Sequence, residues 1–405
     1  MTSHPSLELL PPSVPAVLLG DLNMLRCFAR SGVETVVACS DRDDPVLHSR
    51  HGSVRTVIAP FDDTERVLSD LVAIGRAYPG RPTLFYGTDK QLLTVSRHRR
   101  RLEPFFRLSL PPAELVEDLV DKSRFRGLAA RFELPVPPTL TSREITSAEQ
   151  VVRDLPGPWL LKPTVHYGWF EQEAIRRAGP KKALLAETGR GLRELLSEVS
   201  RHVPDFVVQT YVPGGEDAVY SFHAYADARG RVLGHFVGKK IRTFPREAGV
   251  STYLELVKEP AVVRLGFETI RKLGIVGPLK IDLKRDARTG RFYVLELNAR
   301  FNLWHYLGGV CGVNLALIAH ADLTGRRYDP APDYRTGVRW LSFGADLRSF
   351  LRSYRPSGEL GFGSWLASLR GPKVYDVFAW NDPVPVLFGA LNYAKALGRR
   401  LLGAS

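Results

Sequence analysis

Within residues 16 to 39 an apolar run, a helical stripe and a second apolar run follow one another at the spacing of a βαβ unit. Ala16-Val17-Leu18-Leu19 meets Gly20-Asp21, then Leu25, Phe28 and Ala29 mark a helix that ends near Gly32, and Thr35-Val36-Val37-Ala38-Cys39 stops at Ser40-Asp41. Two strands joined through a helix lie parallel, so the chain opens with a parallel α/β sheet. Leu84-Phe85-Tyr86 before Gly87-Thr88-Asp89 reads as a later strand of that sheet, followed by a helix from Gln91 to Arg101, and Pro104 with Pro111-Pro112 marks its edge. Asp41, Asp43 and Asp44 stand at a strand C-terminus, where open sheets place their ligands; as local structure they would only form a turn or an N-cap. Gly20 stands without the GxGxxG pattern, which argues against a dinucleotide cofactor.

Leu115, Leu119, Leu128 and Phe132 space a buried helical stripe from Ala113 to Phe132, turned near Asp121-Lys122 and ended by Leu134-Pro135-Val136-Pro137-Pro138. From Trp159 the pattern changes to strands joined by turns: Trp159 to Pro163, Phe206 to Gln209, Ala218 to Asp227, and Val232 to Val237 after the turn Ala228-Arg229-Gly230. Helices near Gly191 to Val199 and Ala261 to Leu273 punctuate them. Leu279 to Lys284, the turn Asp286 to Gly290, and Phe292 to Asn298 then form a hairpin. Period-2 alternation puts Asp282, Glu296 and Asn298 on one face of it, so three oxygen donors converge. Magnesium takes hard oxygen ligands, commonly only one or two of them protein carboxylates, and completes its octahedron with water and substrate phosphates, which suits this trio. Taken alone, the hairpin reads more readily as a solvated polar face.

Several separate segments, with this hairpin among them, resemble the ATP-grasp superfamily across most of residues 14 to 330. They are Asp121-Lys122 with the stretch Leu134 to Thr139, the strand Leu160-Leu161-Lys162-Pro163, the stretch Val207 to Glu216, and Glu296-Leu297-Asn298-Ala299-Arg300, which is close to the family's ExNxR signature. The resemblance implies an N-terminal open parallel-sheet, Rossmann-like domain over residues 1–112 and an ATP-grasp domain over 113–330. The latter would comprise two α+β subdomains, about 113–208 and 209–330, ahead of a C-terminal extension at 331–405. It implies ATP and one or two magnesium ions, with manganese as a substitute, held by Asp282, Glu296 and Asn298.

By the same resemblance Lys122 and Lys162 neutralise phosphate oxygens, work suited to point charges. Gln209, Tyr211 and Val212 meet the adenine edge, Glu216 accepts from ribose hydroxyls with Asp217 as the near alternative, and Lys280 assists from the Asp282 face. Arg300 holds the substrate carboxylate or an oxyanion, unless it serves as a structural salt bridge to one of the acids. Lys239, Lys240 and Arg242 resemble the basic strand facing the transferred phosphoryl group, and alternation pairs Lys240 with Arg242. The implied activity is an ADP-forming carboxylate-amine ligase, with bicarbonate activation and non-catalytic ATP binding as rivals. One departure concerns the phosphate-covering loop: Thr164 to Phe170 holds a single glycine, Gly168, where a glycine-rich cradle is expected, and His166 would touch phosphate or cap a turn.

The net charge of +13 suits an anionic nucleotide. The densest basic run, Arg97-His98-Arg99-Arg100-Arg101, lacks the aromatic interleaving of an RNA-binding signature and reads as a solvated helix face, so small-molecule partners are expected rather than nucleic acid. No segment approaches the roughly 18 to 20 apolar residues that span a bilayer. Cys27, Cys39 and Cys311 form no CxxC, so a reducing, cytoplasmic setting is expected. Near the C-terminus Leu387, Leu391, Ala394, Leu397 and Leu401 make an apolar stripe flanked by Lys395, Arg399 and Arg400. The favoured reading packs it on the body of the protein; the other rests it on an anionic membrane surface.

Overall fold

The computed structural model describes residues 14–164, 183–246, 249–329 and 333–390. The first sheet holds β1 (Ala16–Leu18), β2 (Thr35–Cys39), β3 (Val54–Val57) and β4 (Thr83–Phe85), all parallel in the order β3-β2-β1-β4. Helix α1 (Leu22–Phe28) begins at Asp21, which sits at φ 66° and accepts hydrogen bonds from the N–H groups of Asn23 and Met24. Helix α2 (Thr64–Arg76) follows β3, and α3 (Asp89–Arg97) starts in a capping box in which Thr88 and Gln91 satisfy each other's backbone donors. The expected helical stretch after the prolines is two helices, Ala113–Val120 and Lys122–Arg131, because the Asp121 side chain caps the second by accepting from Ser123 and Arg124 N–H. The basic run is spent on structure: Arg97 makes a bidentate pair with Glu117, Arg99 donates to Ser96 and to the Pro111 carbonyl, and Arg101 pairs with Glu65.

The second sheet is antiparallel, in the order β5-β8-β6-β7, from β5 (Thr139–Thr141), β6 (Trp159–Pro163), β7 (Leu184–Ala186) and β8 (Phe206–Thr210). Helices Ala148–Asp154 and Gly189–His202 cover it, and together they close a core of their own, including Val151, Leu161, Leu192 and Val208.

The third sheet is the largest and carries β9 (Val219–Ala226), β10 (Val232–Phe244), β11 (Val250–Leu256), β12 (Gly277–Arg285), β13 (Phe292–Asn298), β14 (Arg339–Leu341) and β15 (Lys373–Tyr375). Its order is β13-β12-β9-β10-β11-β14-β15, antiparallel except for the last pair. The β9–β12–β13 face shares one apolar core with the first sheet, in which Val17, Leu84, Phe222 and Ile281 all lie. The sheet therefore cannot shift against the N-terminal unit without opening that core.

Two strands of the tail extend this sheet, and the chain after them returns to the N-terminal unit. Asp382, fully buried, accepts from Arg26, from the Ser49 hydroxyl and from the Arg50 N–H. The proposed amphipathic stripe lies mostly outside the described residues; Leu387, its first member, is 60% exposed. Among the described residues no helix is long and apolar enough to cross a membrane.

Candidate functional site

A cavity of about 840 Å³ lies where the three sheets meet. The register of the hairpin places its chemistry. Asp282 pairs opposite Glu296 and Lys280 opposite Asn298, so the expected donors do share one face, and all four line the cavity. Asp282 is 5% exposed and Asn298 8%, so neither is a solvated surface group. Asp282 accepts from the Lys280 ammonium at 2.7 Å and from the Ser221 hydroxyl on the neighbouring β9. The Asn298 amide donates to Glu296 Oε1 at 3.3 Å. Lys284, two residues beyond Asp282, also lines the cavity and stands 4.2 Å from the centre of the Tyr211 ring. The alternation that singled out Lys280 and Asp282 extends to Lys284 as well.

The second sheet supplies Lys162 from β6. Its ammonium donates to Gln209 Oε1 at 2.6 Å, and the Gln209 amide donates in turn to the Thr139 hydroxyl at 3.0 Å. Both polar groups of the Gln209 side chain are thus committed within the protein, where they position Lys162 instead of presenting a free edge. Burial, with the charge of Lys122 nearby, pulls the Lys162 ammonium down to about 8. Lys122 opens its helix beside the same cavity, and its backbone N–H donates to the Thr164 carbonyl at 3.0 Å. Tyr211, Val212 and Glu216 line the cavity in the strap after β8. The N–H of Tyr211 is taken by the Pro158 carbonyl at 2.8 Å. Glu216 accepts from the Thr243 hydroxyl and, at 3.0 Å, from the Thr243 N–H, so it also anchors the end of β10.

Arg242 is a correction. Lys240 and Thr243 line the cavity, but Arg242 does not. The pairing of β10 with β11 jumps from Lys240↔Leu254 to Arg242↔Tyr253, so a β-bulge at Ile241 breaks the alternation that put Lys240 and Arg242 together. Arg242 instead grips Asp346 with two bonds of 2.8 and 2.9 Å, donates to the Ser368 hydroxyl and lies over the Tyr253 ring. Lys239 points away too, over Tyr220.

Arg300 reaches the cavity but is also a strut. Its Nε bonds Asp89 at the start of α3, its Nη1 donates to the Gly87 carbonyl at 3.2 Å, and its Nη2 donates to Asn298 Oδ1 at 3.1 Å. The structural salt bridge therefore exists, with a carboxylate of the N-terminal unit and not with the hairpin acids.

Of the residues that the first sheet contributes, sequence reading pointed to Asp41, Asp43 and Asp44 but did not single out Asp21, Asn23, Thr88 or Asp89. Asp21, Asn23, Thr88 and Asp89 line the cavity, as do Asp41, Asp44 and, from the tail, Asp376; Asp43 does not. Asp41 and Asp44 also make the local turns expected of them, accepting from the N–H groups of Asp43 and Val46. The loop expected to cover phosphate, with His166 and Gly168, lies outside the described residues after Thr164.

Among the described residues no group of three or more His, Cys, Asp or Glu side chains is placed to hold a metal ion. Two carboxylates and an amide oxygen nevertheless form a hard-oxygen set of the size magnesium uses when phosphates supply the remainder, and the ammonium seated on Asp282 shows that this carboxylate draws a cation.

No protein-family model matches the chain. By sequence, it is 24% identical over 326 residues to D-aspartate ligase of Enterococcus faecium, covering 76% of each chain. It is also 24% identical over 335 residues to the carbamoyl phosphate synthase large chain of Thermomicrobium roseum, spanning 29% of that longer protein. By structure, it is similar to an ADP complex of N5-carboxyaminoimidazole ribonucleotide synthetase, with TM-score 0.60, 15% identity and 80% of both chains covered. The L-amino acid ligase from Bacillus licheniformis superposes with TM-score 0.59 at 14% identity, covering 81% of this chain and 78% of that one. At these identities the structural likeness is one of fold.

Proposed function

We propose that this chain, which has the ATP-grasp fold, is an ATP-dependent, ADP-forming ligase that activates a carboxylate as an acyl phosphate and passes it to an amine. The observation that carries this reading is the Asp282↔Glu296 register, with Asn298 beside it, facing a cavity that also holds Lys122, Lys162, Lys240 and Lys280. Such a cavity suits a triphosphate: the lysines offset its charge, and the carboxylates would hold magnesium. Bound there, magnesium would neutralise charge on the β- and γ-phosphates during transfer.

A substrate carboxylate oxygen would then attack the γ-phosphorus and ADP would leave. The amine would next attack the acyl carbon, phosphate would leave, and the nitrogen would give up a proton. No side-chain nucleophile is needed, so the protein acts by position and charge. Lys240 is the residue proposed to face the transferred group, and Arg300, held rigid by Asp89 and Gly87, to face the substrate carboxylate.

ADP and phosphate release from MgATP should require a carboxylate and an amine together. Release that depends on bicarbonate and needs no amine would replace ligation with bicarbonate activation. Release with neither would point to simple hydrolysis.

The lowered Lys162 gives a pH signature. Below about 8 its ammonium is charged in the nucleotide-free protein; above that the charge is lost, while bound phosphate would favour keeping it. The dissociation constant of ADP is expected to be flat below pH 8 and to weaken by up to about tenfold per pH unit above it. In Lys162→Met the affinity should be lower and this pH dependence gone; titration calorimetry from pH 6.5 to 9.5 measures both.

A further inference from the structure

The chain after Tyr375 is pinned to the N-terminal unit. Asp382 accepts from Arg26, from the Ser49 hydroxyl and from the Arg50 N–H, and the Arg50 guanidinium donates to the Asn381 carbonyl at 3.4 Å. On either side of this anchor, apolar side chains nevertheless face solvent. Trp380 is 89% exposed, Val384 48% and Leu387 60%, and Trp380 is the most exposed large apolar side chain among the described residues. The other tryptophans described, Trp159, Trp304, Trp340 and Trp365, are all buried.

Residues 384–390 are helical, and the helix docks through one face. Phe388 stacks on the His48 ring with centroids 3.5 Å apart, Pro385 is buried, and a Cβ at Gly389 would lie 3.9 Å from Pro45. At about 100° of turn per residue, these three positions centre about 150° away from Leu387 around the helix axis. The apolar stripe that begins at Leu387 is therefore turned away from the body of the protein where the structure shows it, and packing on that body does not account for it. Residues 391–405 lie outside the described residues; in the sequence, Leu391, Ala394, Leu397 and Leu401 continue from Leu387 at steps of 3 and 4.

Single exposed apolar side chains are ordinary, but a tryptophan, a valine and a leucine spaced 4 and 3 apart on one anchored segment form a face. The charge around them selects what covers it. From Pro383 to Ser405 the sequence holds Lys395, Arg399 and Arg400 and no acid, and Arg50 is exposed beside Asn381. A second copy of this chain would set these cations against one another. An anionic lipid surface would instead attract them, while the boundary between its headgroups and acyl chains takes up the apolar side chains. Tryptophan suits that boundary, with a large apolar body and an N–H for the headgroups.

We propose that Trp380, Val384 and Leu387, with the apolar stripe and the cations of residues 391–401, form a docking surface for an anionic bilayer. The proposal stands apart from the ligase reading, since Trp380, Val384 and Leu387 do not line the cavity.

The test is flotation of the full chain with phosphatidylcholine vesicles that contain or lack phosphatidylglycerol. Apparent affinity should be about tenfold or more higher for the anionic vesicles and should fall as salt rises. Transfer of Trp380 from water to the boundary should shift the fluorescence emission to the blue, and Trp380→Phe should lose most of that shift. Trp380→Ala combined with Leu387→Glu should weaken binding to anionic vesicles by about tenfold or more. Replacing Lys395, Arg399 and Arg400 with glutamine should do the same and flatten the salt dependence. Both variants should keep the parent's unfolding midpoint and MgADP affinity, which separates lost docking from lost folding. Binding that survives the Trp380 and Leu387 changes would reduce the effect to general attraction by a chain of net charge +13 and overturn the docking surface. Equal binding to neutral and anionic vesicles, or binding to neither, would overturn it too. So would a lipid-free dimer that Leu387→Glu dissolves, which would assign the face to a second copy.

Discussion

Glu296→Gln is expected to lower ADP release from MgATP by about a thousandfold or more, on the scale found when a principal electrostatic element of phosphoryl transfer is removed. The substitution keeps the size of the side chain and its place on β13, where Asn298 Nδ2 donates to Oε1, so that amide can still find an acceptor. It removes one of the two carboxylates that stand in register. The unfolding midpoint should stay within a degree or two of the parent, since a half-buried edge-strand residue changes little on becoming its amide. ADP affinity measured with magnesium should fall, and ADP affinity measured with EDTA should not. Turnover within tenfold of the parent would remove Glu296 from the proposed metal set. Asn298→Ala should act in the same direction.

Arg242→Ala is expected to cost about 3–5 kcal/mol of stability, although Arg242 touches none of the cavity. Its partner Asp346 is fully buried and also accepts from the Thr252 hydroxyl and from the Trp365 indole N–H, so the substitution leaves a carboxylate charge in the interior with its main counter-ion gone. Denaturant unfolding at neutral pH reads the loss. Because the penalty comes from the orphaned charge, the double substitution Arg242→Met with Asp346→Leu should recover most of it. A single-variant loss under 1 kcal/mol would mean that the tail is held to the sheet chiefly by contacts other than this ion pair.

These two residues show what a strand pattern can and cannot disclose. The period of two located Asp282, Glu296 and Asn298, because β12 and β13 pair without irregularity from Lys280 to Asp282. The same rule misplaced Arg242, because the bulge at Ile241 slips the phase by one residue and nothing in Lys239-Lys240-Ile241-Arg242 announces it. Lys284 was within reach of the pattern and needed only one more step along it. Asp21 and Asn23 were not: each reads as the start of a helix, and their place in the cavity depends on how the first sheet docks against the third, which local sequence does not encode. The parallel first sheet was legible from its βαβ spacing. The short strands Thr139–Thr141, Leu184–Ala186 and Lys373–Tyr375 were not, because three residues carry too little periodicity and their pairing partners lie far along the chain.

The buried pair between Arg26 and Asp382 joins residues 356 positions apart. During synthesis the N-terminal sheet can gather its own strands long before Asp382 leaves the ribosome, yet Arg26 waits for its counter-ion until nearly all the described chain has been made. Asp376, a wall of the cavity, arrives almost as late. A nascent or truncated chain therefore has Lys122 and Lys162, the lysines proposed to meet phosphate, well before it has a closed cavity. The late stitch ties completion of the cavity to completion of the described fold, which, on the proposed function, limits the time in which a half-built protein could consume nucleotide without a substrate to modify.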